Sequence, residues 1–401
     1  MLCAMPKFSQ RSQQLPSSPI RKLVPFSDAA KERGVKVYHL NIGQPDLETP
    51  QQFFDTISQA DMSVLSYSPS AGYESLRQEI ANYYDRLGVS LSTDDVLVTC
   101  GASEAISFTL TAVMDPGDEV LIPEPFYANY LSFACGNDGV VVPVTSSIDD
   151  DFNLPSVEDF EAKITPRTRA ILICNPGNPT GKLYPRQALQ QLAEIAKKHD
   201  LFLIADEVYR EFAYDGHEHH SALLLEGLEQ NAVVIDSISK RFSACGARIG
   251  CIVSRNQELV EAVLKMAQAR LSPPTFGQLG AEAVYKLPAT YYQSVVAEYS
   301  RRRDLLKSRL DKIEGVKCPN IDGAFYALVR LPVDDSEHFC RWMLEEFSHE
   351  GATVMMAPGG GFYATPGLGS DEVRIAYVLN CEDLSAAMDC LEQGLVAYAA
   401  R

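Results

Sequence analysis

Lys240 is the residue in this sequence whose neighbours most clearly suggest chemistry. It lies in the segment SISKRFSACGARIG (237–250), directly after an apolar run that predicts a buried strand. A lysine that follows such a strand into a cleft is partly desolvated, which lowers its pKa and makes it a plausible nucleophile towards an aldehyde. Ser237, Ser239 and Arg248 could hold an anion beside that amine. Together these groups would fit an aldehyde that also carries a phosphate, whereas a lysine without them would be interpreted as a solvated surface residue.

Two further strand ends carry polar side chains. Asp206 ends the apolar run LFLIAD (201–206), and Tyr209 follows three positions later. Asn178 lies in the turn NPGNPTG (175–181), which follows another apolar run. Ligands of open α/β sheets bind at the carboxyl ends of the strands, so these side chains are candidates for one crevice. Taken alone, Asp206 could equally cap a helix, and the Asn178 segment could be only a tight turn.

Two segments contain groups that could bind anions. VTCGASEAISFTL (98–110) predicts a strand, a turn of small residues and a helix start, so the N–H groups near Ala102 and Ser103 could bind a phosphate. The same residues could equally form an ordinary helix cap. Arg374 stands alone in the apolar run DEVRIAYV (371–378). A solitary arginine there needs an anionic partner, either a structural carboxylate or the carboxylate of a ligand.

The order of the apolar runs predicts an α/β fold with a mostly parallel sheet. The predicted strands are 95–99, 119–123, 140–144, 170–174, 201–205, 233–237 and 249–254, and helical spacing is found at 186–199, 256–270, 276–287 and 290–313. The strands are rich in β-branched residues and lack clean alternation, which predicts burial on both faces.

A smaller α+β unit is predicted after residue 315. Its strands are expected at 324–331 and 373–379, and its helices at 337–349 and 382–398. The first 50 residues have no strand order of their own and are assigned to the same unit. The predicted domains are therefore a large one at 51–300 and a small one formed by 1–50 and 301–401.

The composition excludes several classes of protein. The chain has 401 residues, of which 46% are apolar and 22% charged, which is typical of globular proteins. Its net charge of −18 opposes binding to nucleic acid or to anionic membranes. The ten cysteines form no Cys-x-x-Cys pair, which favours buried reduced thiols. Residues 1–23 lack the apolar segment of a secretory signal, and we predict a cytoplasmic protein.

Two other tracts are predicted to be inert. HEHH (217–220) contains the residue types of metal ligands, but it lacks a matching second cluster, so a solvated loop is expected and no metal site. PGGGFYATPG (358–367) does not follow a strand–turn–helix layout, so it predicts a loop near the cleft and not a dinucleotide site.

Five segments in the same order resemble the class I/II aminotransferases, aspartate aminotransferase-like enzymes of fold type I that use pyridoxal 5'-phosphate. They are YSPSAGYESLR (67–77), NPGNPTG (175–181), ADEVY (205–209), SISKRFSACGARIG (237–250) and VRIAY (373–377). The similarity extends from NIGQPD (41–46) to Arg374, nearly the whole chain. The resemblance implies a large domain with a mostly parallel seven-stranded sheet and a smaller α+β domain.

The resemblance also assigns roles to individual residues. Lys240 would bond covalently to the cofactor and carry the proton of the substrate's α-carbon, and Asp206 would pair with the pyridine nitrogen. Asn178 and Tyr209 would bond the ring's phenolic oxygen. Tyr127, in PEPFYANY, would stack on the ring, although core filling is the alternative for a single tyrosine. The phosphate would be held by Ala102, Ser103, Ser237, Ser239 and Arg248.

Substrate binding and assembly are implied in the same way. Arg374, Gly43 and Asn178 would bind the substrate's α-carboxylate. Tyr67 matches a residue that reaches the phosphate of the neighbouring subunit, which implies a homodimer with shared active sites. Ser103 occupies the position of a lysine in some aspartate-specific relatives and cannot supply its charge. Arg270 is the nearest cationic candidate for a distal carboxylate, and we expect a broad range of donors.

Three functions are compatible with this sequence. The leading hypothesis is an amino-acid aminotransferase that moves an amino group from an L-amino acid to a 2-oxo acid such as 2-oxoglutarate by a ping-pong mechanism. A carbon–sulfur β-lyase on the same scaffold is the second, because the same electron sink permits elimination. The third is a regulatory protein that binds the cofactor. Such regulators carry an added DNA-binding domain, for which this chain offers no room.

Overall fold

The computed structural model describes residues 6–16 and 18–401. Cys3 lies outside the described residues. The strands are β1 Lys36–His39, β2 Val96–Thr99, β3 Glu119–Glu124, β4 Val140–Thr145, β5 Thr168–Cys174, β6 Phe202–Asp206, β7 Ala232–Ser237, β8 Gly250–Val253, β9 Tyr326–Arg330, β10 Ala352–Met355, β11 Ala357–Pro358 and β12 Glu372–Ala376. The helices are α1 Gln10–Gln14, α2 Val24–Glu32, α3 Gln51–Ser58, α4 Glu74–Asp85, α5 Ala102–Val113, α6 Asn129–Gly136, α7 Val157–Glu161, α8 Arg186–His199, α9 Ile238–Arg241, α10 Gln257–Arg270, α11 Thr275–Tyr285, α12 Ala289–Leu310, α13 Ser336–Glu345 and α14 Cys381–Ala399.

A seven-stranded sheet in the order β2-β8-β7-β6-β5-β3-β4 forms the centre of the described chain. All neighbours are parallel except β8, which runs antiparallel to both β2 and β7. The predicted α/β fold with a mostly parallel sheet is confirmed, and each of the seven strands predicted for this sheet agrees with an observed one to within two residues. The prediction of burial on both faces is wrong for β4, because this strand lies at the edge of the sheet and is partly exposed.

The direction of β8 brings an additional loop to the functional edge of the sheet. Parallel strands place their carboxyl ends at one edge, which here collects the residues that follow β2, β5, β6 and β7. Since β8 runs the opposite way, its first residue, Gly250, pairs with the last residues of β2 and β7, Thr99 and Ser237. The loop that carries Arg248 therefore enters at the same edge.

The smaller unit contains two separate sheets. One is antiparallel, in the order β11-β12-β9, and the other consists of β1 parallel to β10. Neither β1 nor β10 is predicted from the sequence: the first 50 residues do contain one strand, which pairs with β10 of the smaller unit. The helix α12 spans residue 300 and buries Tyr299, Leu306 and Leu310 in the core of the smaller unit. The domain boundaries at residues 50 and 300 stay a prediction.

Two expectations about individual side chains need correction. Of the nine cysteines in the described residues, all are free, but only Cys251, Cys340 and Cys390 are buried. The HEHH tract is not uniformly solvated, because His219 is largely buried and lies 3.8 Å from Glu207. No helix in the described part of the chain has both the length and the apolar character needed to cross a membrane.

Candidate active site

A cavity of about 730 Å³ lies at the carboxyl edge of the large sheet. Apart from Arg270, the candidate for a distal carboxylate, the sequence nominates thirteen residues, and twelve of them line the cavity, namely Gly43, Ala102, Ser103, Tyr127, Asn178, Asp206, Tyr209, Ser237, Ser239, Lys240, Arg248 and Arg374. The exception is Tyr67, which is 78% exposed and does not line the cavity of its own chain. Residues that are far apart in the sequence therefore face one space.

Lys240 reaches the cavity from the short helix α9, which directly follows β7. Its Nζ donates a hydrogen bond of 2.7 Å to the backbone carbonyl of Gly43. Burial lowers the pKa of Lys240, and the positive charge of Arg374 acts in the same direction. The amine is therefore easier to deprotonate than an exposed lysine, as a nucleophile or a proton carrier requires.

Asp206 is a buried carboxylate at the end of β6, with 4% of its surface exposed. The hydroxyl of Tyr130 donates to its Oδ2 at 2.7 Å, and the N–H of Val208 approaches Oδ1 at 3.4 Å. Burial raises the pKa of Asp206 to about 6, and the hydrogen bond from Tyr130 opposes this effect. A cationic ring nitrogen in the cavity would favour the ionised form of this carboxylate.

Arg374 is a buried cation held by aromatic rings and by polar oxygens. Its guanidinium lies 4.7 Å and 4.9 Å from the ring centres of Tyr326 and Phe362. It donates to the side-chain oxygen of Asn178 at 3.0 Å and to the backbone carbonyl of Asn41. Within residues 6–16 and 18–401 no carboxylate lies within 4.0 Å of it, and its Nε has no partner. These contacts favour an anionic ligand over a structural carboxylate as its partner.

A cradle of hydrogen-bond donors lies beside Lys240. The hydroxyls of Ser237 and Ser239 are 2.8 Å apart, and the first N–H groups of α5 open onto the same cavity. Arg248 adopts a left-handed backbone conformation with φ of 55°, and its guanidinium donates to two backbone carbonyls. A Cβ at Gly101 would overlap with this guanidinium. The close approach of α5 and Arg248 thus requires glycine and creates a site for an anion.

Aromatic hydroxyls form the opposite wall. Tyr209 and Tyr326 share a hydrogen bond of 2.9 Å between their hydroxyls, and burial raises the pKa of both well above the ordinary value. Both phenols are therefore neutral and can donate hydrogen bonds. A Cβ at Gly43 would overlap with the Tyr326 hydroxyl, which explains why glycine is found there. The hydroxyl of Tyr127 accepts a hydrogen bond of 2.7 Å from Asn129.

The sequence model of the class I and II aminotransferases matches residues 35–391. This chain belongs to that family. The Bacillus subtilis protein YugH, which is named as an aminotransferase, is 35% identical to this chain. The match covers 94% of this chain and 95% of YugH. The structure of an aspartate aminotransferase from Thermotoga maritima has a TM-score of 0.89 and 30% identity, covering 97% and 100% of the two chains. An alanine aminotransferase from Pyrococcus furiosus has a TM-score of 0.89 and 30% identity, covering 98% and 100%.

The chain is an aminotransferase that depends on pyridoxal 5'-phosphate, as the resemblance predicts. The groups in the cavity fit this cofactor. A buried carboxylate, Asp206, suits a protonated ring nitrogen, and the amine of Lys240, whose pKa is lowered by burial, suits an aldehyde. The glycine-dependent cradle formed by Ser237, Ser239 and Arg248 suits a phosphate.

A network of buried charges lies next to the cavity residues of the aminotransferase site. Glu207 accepts a hydrogen bond of 2.5 Å from Arg210, which also lies 3.8 Å from Asp236. Arg241 is paired with Asp236, and all four side chains are almost fully buried. Each of the four members is the sequence neighbour of a residue that lines the cavity: Glu207 follows Asp206, Arg210 follows Tyr209, Asp236 precedes Ser237, and Arg241 follows Lys240. The network therefore fixes the backbone that carries the cavity residues.

Sequence reasoning overlooks several residues of the aminotransferase cavity. Tyr130, Tyr326 and Arg21 line it, and the only local signal for Tyr130 was its position three residues after Tyr127. Arg270 does not line the cavity. Its guanidinium lies 3.4 Å from Glu104 and donates to the backbone carbonyl of Ser70, so its position does not support a contact with a distal substrate carboxylate.

Proposed function

We propose that this aminotransferase moves the amino group of an L-amino acid to 2-oxoglutarate in two half-reactions at the same cavity. The observation that carries this proposal is the arrangement of Lys240, Asp206 and Arg374 around one space of about 730 Å³. An amine, a buried carboxylate and a buried cation are the groups needed to bind an amino acid and to move its α-proton.

The cofactor would be held by residues on three sides of the cavity. Lys240 would bond to its aldehyde, Asp206 would pair with its ring nitrogen, and the cradle of Ser237, Ser239 and Arg248 would hold its phosphate. When bound, the cofactor supplies an aldehyde that condenses with amines and a ring that withdraws electrons from the substrate's α-carbon.

Lys240 would act as the proton carrier. Its lowered pKa gives a neutral fraction that can accept the proton of the α-carbon. The hydrogen bond from Nζ to the carbonyl of Gly43 would hold the amine on one side of the cavity when it is not bonded to another group. Tyr130, through its 2.7 Å hydrogen bond to Asp206, would favour the ionised carboxylate during this step.

Arg374→Ala is expected to weaken every substrate to the same extent. All amino acids and 2-oxo acids share the α-carboxylate, and each would lose a charge-assisted contact of about 2–3 kcal/mol, which corresponds to a roughly 30- to 200-fold loss in kcat/KM. The measurement is kcat/KM for alanine, glutamate and 2-oxoglutarate, with Arg374→Lys as the variant that keeps the charge but loses the planar fork. A loss confined to one substrate would show that Arg374 binds the side chain instead.

The active form is proposed to be a homodimer with shared active sites. Tyr67 is highly exposed in one chain, and the neighbouring Val64 and Leu65 are also exposed apolar residues, which supports their burial against a second copy. If Tyr67 contacts the phosphate in the partner's cavity, Tyr67→Phe should lower cofactor affinity severalfold without dissociating the dimer. Light scattering and equilibrium dialysis measure the two quantities. A monomeric protein with full cofactor affinity would contradict the proposal.

Location and domain division belong to the same set of proposals. The free thiols of the nine described cysteines support a reducing compartment, and we propose the cytoplasm. The predicted division at residues 50 and 300 is supported by the buried cluster around Leu306, Phe339 and Ile375, which lies mostly in the smaller unit and also takes in Tyr209 and Phe212 of the large one. Expression of 51–300 alone would test whether the large unit folds independently.

The proposed reaction can be tested with a panel of amino donors and 2-oxoglutarate. Mass spectrometry should find glutamate and the matching 2-oxo acid in equal amounts for at least one donor, and neither product should form with Lys240→Ala. Release of ammonia and pyruvate from cysteine conjugates without consumption of 2-oxoglutarate would instead favour the β-lyase.

A further inference from the structure

Residues 18–23 form part of the cavity wall and are anchored to the rest of the molecule. The carbonyl of Ile20 accepts a hydrogen bond of 3.1 Å from the side chain of Asn41. Pro19 is buried and packs so closely on Gly361 that a Cβ at this glycine would overlap with its ring. Because the backbone is fixed at these two points, the side chains of the segment have defined directions.

Two successive cations of this segment point to different places. The Nζ of Lys22 lies 2.6 Å from Glu337 and does not line the cavity. Arg21 lines the cavity, and its positive charge acts on the hydroxyl of Tyr127. In the part of the chain that the structure describes, no carboxylate oxygen lies within 4.0 Å of the Arg21 guanidinium.

The positive charges of the cavity can be assigned one by one. Among the described residues, the cations that line it are Arg21, Lys240, Arg248 and Arg374. Lys240 is the amine, Arg248 belongs to the phosphate cradle, and Arg374 faces the α-carboxylate in the proposed function. Arg21 is the remaining cation, and the overall charge of −18 would otherwise oppose a second carboxylate.

We propose that Arg21 binds the distal carboxylate of dicarboxylic substrates, such as aspartate, glutamate and their 2-oxo acids. The inference rests on the proposed function. A planar guanidinium can hold a carboxylate through two parallel hydrogen bonds. Arg21 thereby takes the role for which the sequence offered Arg270.

The exposure of Arg21 explains how one cavity serves charged and neutral side chains. If the cation were buried, a neutral substrate would leave it without a partner, and an unpaired buried charge costs binding free energy. Arg21 is exposed, so its charge can be hydrated when no distal carboxylate is present. Neutral amino acids are therefore accepted, and dicarboxylic substrates gain one additional contact.

The test compares Arg21→Gln with Lys22→Gln, which removes the neighbouring cation outside the cavity. For Arg21→Gln, kcat/KM for glutamate, aspartate and 2-oxoglutarate should fall by about tenfold or more, mainly through KM. Values for alanine and leucine with 2-oxobutyrate, a neutral 2-oxo acid, as acceptor should change less than about twofold. Lys22→Gln should leave both groups of substrates unchanged, and Arg21→Lys should restore part of the preference.

Equal losses for both groups in Arg21→Gln, or a parent protein restricted to neutral substrates, would overturn the role of Arg21. Absence of amino transfer with every donor would instead reject the proposed function. A binding measurement tests Arg21 without turnover. By calorimetry, the cofactor-loaded parent should bind succinate more tightly than butyrate, and Arg21→Gln should remove this difference. An unchanged difference would also overturn the inference.

Discussion

Lys240→Ala is expected to reduce kcat by about four orders of magnitude or more, because in the proposed function one side chain is both the nucleophilic amine and the proton carrier. The fold should be retained. Among the described residues, Nζ makes one hydrogen bond, to the carbonyl of Gly43, and the substitution also removes a partly buried amine whose pKa is lowered by burial. Steady-state rates with a saturating donor and circular dichroism measure the two quantities.

A matched control for this variant is Lys265→Ala, since Lys265 is exposed on α10 and should have no effect. Borohydride reduction of the parent, followed by digestion and peptide mass spectrometry, should find the cofactor label within residues 237–248. A label on another lysine, or a Lys240→Ala variant that keeps a tenth of the parent activity, would remove Lys240 from its proposed role.

Asp206→Ala is expected to lower kcat by about three orders of magnitude. The carboxylate would stabilise positive charge on the ring nitrogen, and this contribution grows as electrons move from the α-carbon into the ring. Asp206→Asn keeps the shape of the side chain and an acceptor for Tyr130 but loses the charge, so it should be nearly as slow. A loss of less than tenfold in both variants would contradict the electrostatic role.

The stability of the cofactor-free protein provides a separate measure of the Asp206 charge. Because burial raises the pKa of Asp206 from 3.8 to about 6, the folded state holds the proton more tightly than the unfolded state. The ionised form therefore destabilises the fold above pH 6, and this cost disappears as the pH falls through 6 towards 4. Asp206→Asn should raise the thermal midpoint at pH 8, with a smaller gain at pH 4.5. Equal midpoints at pH 8 would argue against the raised pKa.

The central strands could be predicted from the sequence because a buried parallel strand is a continuous apolar run. The predicted range 201–205, for example, corresponds to β6, Phe202–Asp206, which is buried after its first residue. By contrast, β1 is short and half-exposed, and its partner, β10, lies more than 300 residues away in the chain. No local pattern reports such a pairing, which is why the sequence predicted neither strand.

Twelve of the predicted site residues share a cavity because the ends of parallel strands meet at one edge of the sheet. What the sequence could not provide is the partner of each side chain. Tyr130 and Tyr326 resemble core aromatics until the fold brings their hydroxyls to Asp206 and Tyr209. Arg270 is the opposite case: the sequence suggests a substrate contact, but in the fold its guanidinium lies 3.4 Å from Glu104.

The buried charge network has a consequence for how this enzyme can diverge. Removing one partner of a buried ion pair such as Arg241–Asp236 leaves the other charge uncompensated, at a cost of about 3–5 kcal/mol. That cost would eliminate most variants around Lys240. Arg21, in contrast, is exposed and lies outside this network, in a segment that Pro19, Ile20 and the buried Leu23 hold in place, so substitutions of Arg21 would be tolerated. Substitutions of Arg21 can therefore change which amino donor the enzyme prefers. The residues around Lys240, and with them the reaction, stay the same.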